Sequence, residues 1–201
     1  MDALTHAIEC YTSAYAQPWP DAVALWAIET TGQWLRQAYA QGQNEEARYK
    51  MSMAAMLGGM SYGTESAGAV HAMSQTAGGV YNLPHGALTA SLLAPVMAYN
   101  YLGEPAKYAR IAQAMGENIW GLTLWEAAEL AVGAVARLAE DLGASGGVLL
   151  VFAAEPTPTP VWTSTPPPPP AGTVAPLPSV TPAPSYRLVE QTAICAAPGQ
   201  Q

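Results

Sequence analysis

Residues 20–42 read PDAVALWAIETTGQWLRQAYAQG. Pro20 and Asp21 stand at the start of this stretch and Gly42 at its end, the asymmetry expected of a helix that begins on a residue needing no amide donor and stops at a glycine. Between them Val23, Ala24, Ala27, Ile28, Trp34 and Leu35 recur at three- and four-residue spacing, which puts them on one face of a helix. The same grammar extends in both directions. Residues 44–63, NEEARYKMSMAAMLGGMSYG, start with Asn44 as an N-cap and acids in the first turn. Helical text continues through residues 66–81, 84–100, 104–116 and 123–143, the last with Thr123 followed by Glu126 in capping-box spacing. No alternating strand pattern interrupts the series, so the expected fold is all-α. Met51, Met53, Met56 and Met60 are expected to fill the core, as flexible thioethers commonly do. Gly58-Gly59 and Gly78-Gly79 fall inside helical text with no strand before them, so they read as close-packing or breaker glycines rather than a phosphate loop.

After Gly143 the composition changes abruptly. Residues 144–201 hold most of the 18 prolines of the 201-residue chain, interspersed with Ser and Thr. Proline has no amide donor and a fixed φ, so this stretch is expected to be an extended, disordered tail with a polyproline II bias. The organisation expected is therefore a helical domain over residues 1–143 and a proline-rich tail over 144–201. PxxP spacing in the tail also suits grooves that bind proline-rich peptides, which keeps an interaction protein as the alternative function.

Composition excludes several classes. Only seven Lys and Arg are spread along a chain of net charge −8, so nucleic acid is not an expected partner and an anionic membrane surface would repel the chain. No apolar run approaches the roughly 18–20 residues needed to cross a bilayer. Cys10 and Cys195 form no CxxC or disulfide framework, and no leader pattern opens the chain, so a reducing cytoplasmic setting is expected. Cys10 is expected to be a buried structural thiol. Glu9, Glu29, Glu65 and Asp141 are expected to be solvated or capping residues, and Trp19, Trp26, Trp34, Trp120 and Trp125 to lie in the core or at interfaces.

The three histidines, His6, His71 and His85, all lie in the helical part. A single histidine on a helix is ordinarily structural, but Asp2 and His6 are i and i+4 and share a helix face. On one straight helix His71 and His85 would be about 21 Å apart. Gly78, Gly79, Asn82 and Pro84 permit a turn between them. One helix can then carry Asp2 and His6, a second His71 and a third His85. One carboxylate and three imidazoles suit a divalent ion such as Fe²⁺ or Zn²⁺.

Four stretches, MDALTHAIECYTS (1–13), EEARYKMSMAAMLGGMSYG (45–63), GAVHAMSQTAGGVYNLPHGALTASLLAPVMAYN (68–100) and KYARIAQAMG (107–116), resemble the iron-containing, or group III, alcohol dehydrogenases. The resemblance is to the C-terminal, helical metal-binding domain of that family, of the dehydroquinate synthase-like type. It implies that Asp2, His6, His71 and His85 bind Fe²⁺, with Zn²⁺ as the other candidate. The implied reaction is hydride transfer between a small alcohol or aldehyde and NAD(P), the metal acting as a Lewis acid on the substrate oxygen. Gln75 occupies the position where the family usually has a second histidine near the nicotinamide, and an amide cannot shuttle a proton. Nothing in the sequence corresponds to the family's N-terminal nucleotide-binding domain. The chain is therefore expected to be a fragment, inactive alone, that associates as a homo-oligomer or through exposed apolar surface; a non-catalytic helical remnant is the other reading.

Overall fold

The computed structural model describes residues 1–62 and 67–144. The proline-rich segment expected as a tail, with Cys195, lies outside the described residues, as does Glu65. Among the described residues the chain forms seven helices and no strand: α1 (Asp2–Tyr11), α2 (Pro18–Ala40), α3 (Glu45–Tyr62), α4 (Ala69–Tyr81), α5 (His85–Asn100), α6 (Pro105–Ala114) and α7 (Leu124–Asp141).

The helix ends follow local chemistry. Pro18 occupies the first turn of α2, where its missing N–H costs nothing, and Asp21 complements the N-terminal end of the dipole. Asn44 caps α3 by accepting from the Ala47 N–H at 3.1 Å. Thr123 and Glu126 form a reciprocal capping box on α7, and the hydrogen bonds to Thr123 hold the Glu126 carboxyl below its usual range. The turn between His71 and His85 falls at Asn82, Leu83 and Pro84. Asn82 takes the left-handed conformation at φ 52°, and Pro84 then precedes the first residue of α5. Gly78 and Gly79 remain inside α4 and make no turn.

Helix α1 is the hub. It lies against α2, α3 and α5, while α6 packs on α7 and α5 on α7. Seven of its ten residues are buried, and Leu4, Ala7, Ile8 and Tyr11 join Ala24, Ala27, Ile28, Leu93, Tyr108 and Leu138 in one core. Lys107 on α6 ties three helices: its Nζ donates to the Tyr11 carbonyl at 2.6 Å and pairs with Asp21 at 3.2 Å, with the Tyr11 ring beneath it. Cys10 is buried, as expected.

One expectation about large side chains fails. Met56 and Met60 are exposed, and Met51 and Met53 are only partly covered. Helix α3 meets α1 and α2 instead through Ala47, Ala54, Leu57, Gly58 and Ser61. Small residues let the backbones approach closely, and the thioethers are left on the opposite face. Of the tryptophans expected in the core or at interfaces, Trp19, Trp26, Trp120 and Trp125 lie outside the core, exposed, and Trp34 is partly covered, with the Lys50 ammonium over its ring.

Gly58 marks the closest approach. A Cβ there would lie 2.7 Å from the Ala3 carbonyl oxygen, a backbone atom that cannot swing aside. Gly58→Ala gains about 1 kcal/mol of helix propensity but is expected to lose more, about 1–3 kcal/mol, to overpacking. Urea unfolding should therefore show a net loss of stability; a net gain would mean that α1 and α3 are not packed this closely. The buried Tyr108 supplies a second check. Burial pushes its phenol up to about 12, with the Glu9 carboxylate adding to the shift and a hydrogen bond with Thr12 opposing it. A raised folded-state value means that its contribution is intact below about pH 10 and is lost as pH rises toward 12. Alkaline unfolding followed by circular dichroism should be shallower above pH 10 in Tyr108→Phe.

Candidate metal centre

The fold gathers residues from three helices. Asp2 and His6 stand one turn apart on α1, His71 is in the first turn of α4, and His85 opens α5. Asp2 Oδ1 lies 3.6 Å from His6 Nδ1, 3.5 Å from His71 Nε2 and 3.3 Å from His85 Nε2. Atoms of Asp2, His6 and His71 that can each act as ligands all lie within 4.8 Å of one another. His85 joins through Asp2, its ring centroid 5.5 Å from that of His71. The His6 and His71 rings meet at 4.1 Å, and the edge of Tyr62 closes on His6 at 5.6 Å. All four residues singled out from the sequence thus converge.

Hydrogen bonding orients two of the rings. His6 Nδ1 is 3.1 Å from the Asp2 carbonyl oxygen, so Nδ1–H donates and Nε2 keeps its lone pair. His71 Nδ1 lies 2.6 Å from Glu9 Oε2, so this proton also sits on Nδ1 and Nε2 turns toward Asp2. Asp2 Oδ1 and His71 Nε2 are both buried with no hydrogen-bond partner. Two electron-rich atoms 3.5 Å apart, both removed from water, repel one another unless a positive charge is shared between them. Ligand atoms on a tetrahedral ion with bonds of about 2.0–2.1 Å stand about 3.3–3.4 Å apart, close to the 3.5 Å and 3.3 Å from Asp2 Oδ1 to His71 Nε2 and His85 Nε2. With neutral imidazoles, Asp2 and Glu9 bring one negative charge each, which a divalent cation balances. The donor set and its spacing therefore fit a divalent metal.

Glu9 meets the capping half of its expectation and not the solvated half: it is buried. Its Oε1 accepts from the Val70 N–H at 2.7 Å while Oε2 accepts from His71. It caps α4 from across the fold, where the N-cap Gly68 has no side chain to do so. The signal was present in MDALTHAIE: positions 2, 6 and 9 are i, i+4 and i+7, one helix face. Glu29 and Asp141 are exposed, as expected; Asp141 pairs with Arg36. Gln75 lies exposed one turn beyond His71.

With the geometry in place, comparison with known proteins identifies the family. Residues 1–148 match the model described as "Fe-containing alcohol dehydrogenase family, C-terminal", and the chain belongs to that family. It is 54% identical over 142 residues to choline dehydrogenase of Bacillus subtilis (strain 168), covering 71% of this chain and 35% of that one. It is 49% identical over 143 residues to 1,3-propanediol dehydrogenase of Citrobacter freundii, covering 71% and 37%. Among solved structures it superimposes on a 1,3-propanediol oxidoreductase with a TM-score of 0.69 at 48% identity, covering 70% and 37%. An alcohol dehydrogenase from Oenococcus oeni gives 0.68 at 42% identity, with the same coverage. The chain spans about a third of the length of the curated relatives it matches. No helix among the described residues is long and apolar enough to cross a membrane.

Proposed function

We propose that residues 1–143 form the metal-binding, catalytic domain of an iron-dependent alcohol dehydrogenase, with Asp2, His6, His71 and His85 as the ligands. One observation carries this reading: a buried carboxylate oxygen with His71 Nε2 and His85 Nε2 at 3.5 Å and 3.3 Å, the His6 ring beside them, and no hydrogen bond to satisfy it. Membership of a family described as Fe-containing favours Fe²⁺, and Zn²⁺ accepts the same donors.

When bound, the ion supplies Lewis-acid polarisation of an alcohol or aldehyde oxygen while hydride passes to or from NAD(P). The chain's own residues prepare for this. The backbone carbonyl of Asp2 holds the His6 ring by its Nδ1–H, and Tyr62 closes one edge of that ring. Gln75 stands where a proton-transferring imidazole is usual in the resemblance, and its amide can only donate or accept a hydrogen bond. Proton release to solvent must then take another route. The alcohols named for the relatives, choline and 1,3-propanediol, support a small alcohol or its aldehyde as substrate. The described residues contain no strand and no glycine-rich strand–turn–helix, so the dinucleotide is held outside them. The exposed Met56, Met60, Tyr62 and Met73 support association through apolar surface, with a second copy or with the rest of the enzyme. The thiol chemistry supports a reducing, cytoplasmic setting.

Calorimetry with Zn²⁺ tests the ligand set. The wild-type chain should bind one equivalent, and His71→Ala and His85→Ala should each nearly abolish the heat. Unchanged binding in either variant removes that residue from the site. Anaerobic loading with Fe²⁺ followed by assay with NAD and 1,3-propanediol should give no NADH from this chain alone. Sustained turnover would show that the chain itself holds the cofactor.

A further inference from the structure

We infer that Glu9 is a positioning residue that fixes the tautomer of His71 and thereby makes His71 Nε2 available to the metal; this rests on the metal reading proposed above. The Glu9 side chain is 6% exposed and both of its oxygens are committed. Oε1 accepts from the Val70 N–H at 2.7 Å and Oε2 from His71 Nδ1–H at 2.6 Å. With the ring proton held on Nδ1, the lone pair must lie on Nε2, the atom that faces Asp2 Oδ1. A carboxylate behind a ligating imidazole also raises the basicity of the ligating nitrogen. Glu9 shares α1 with Asp2 and His6, so one short helix supplies two ligands directly and aims a third.

A simple helix-capping role for Glu9 predicts something different. Glu9→Gln retains one acceptor oxygen, and α4 needs only one at the Val70 N–H. The remaining amide NH₂ would then face His71 Nδ1, and two donors cannot pair. The ring is forced to move its proton to Nε2, where it blocks the metal. Capping would survive and ligation would weaken.

Gly68 offers an independent perturbation that leaves the carboxylate in place. A Cβ at Gly68 would come within 2.6 Å of Glu9 Oε1, the movable end of a side chain, so Gly68→Ala displaces the carboxylate without removing its charge. The φ of −87° at Gly68 is open to alanine.

The test uses the full chain, with two readouts. Long-range ¹H–¹⁵N imidazole spectra without added metal should place the His71 proton on Nδ1 in the wild type and shift it toward Nε2 in Glu9→Gln. Titration with Co²⁺, followed by visible absorption, should show about 10–100-fold weaker binding in Glu9→Gln and in Gly68→Ala, with a thermal melt close to wild type in Glu9→Gln. Wild-type His71 protonated on Nε2 would overturn the assignment. So would folded variants that bind Co²⁺ within about twofold of the wild type. If the wild type binds no Co²⁺, the metal reading falls, while the tautomer measurement still decides the role of Glu9. If Glu9→Gln fails to fold, the wild-type spectrum and Gly68→Ala carry the same decision.

Discussion

The architecture is organised around an electrostatic conflict: an acidic oxygen and a ring lone pair face each other in a space that water does not reach. Neither Asp2 Oδ1 nor His71 Nε2 has a hydrogen-bond partner, yet α1 and α4, which carry them, are otherwise well packed. A protein domain of ordinary stability has about 5–15 kcal/mol in hand, and leaving two such groups unsatisfied consumes a sizeable part of it. A third charge, positive and shared, resolves the conflict. The packing of α1 against α2, α3 and α5 is what prevents the side chains from resolving it by moving apart.

Much of this was legible in the sequence because it depends on short-range chemistry. The helix of residues 20–42 followed from its spacing and punctuation, and α2 runs from Pro18 to Ala40. Asn44 and the Thr123–Glu126 box do what their side chains dictate within three residues. The four candidate ligands were visible because aspartate and histidine at those places belong to recognisable motifs. What escaped was set by neighbours distant in the chain. Glu9 read as a solvated or capping acid, with no link to the histidines, because its partner His71 is 62 residues away. The methionines of α3 read as core because they are apolar and frequent. Which face of a helix turns inward is decided by what it packs on, and α3 packs through Gly58 and Ala54.

That preference for small residues recurs. Ala7, Ala24, Ala27, Ala54, Ala128 and Ala131 are all buried. Alanine at a helix contact contributes little apolar area, but it shortens the distance between axes and loses no side-chain entropy on burial. A close-set bundle of this kind holds its polar centre to a narrow range of separations. Trp19, Trp26, Trp120 and Trp125 are left facing outward.

The ten-residue length of α1 has a kinetic corollary. A helix so short barely persists by itself in water, and its partners on α4 and α5 are separated from it by the whole of α2 and α3. Closing so long a loop is entropically unfavourable and slow compared with forming a local hairpin of helices. The paired helices α2–α3 and α6–α7 can form from neighbouring sequence, whereas the cluster of Asp2, His6, His71 and His85 comes into being only when the distant segments meet.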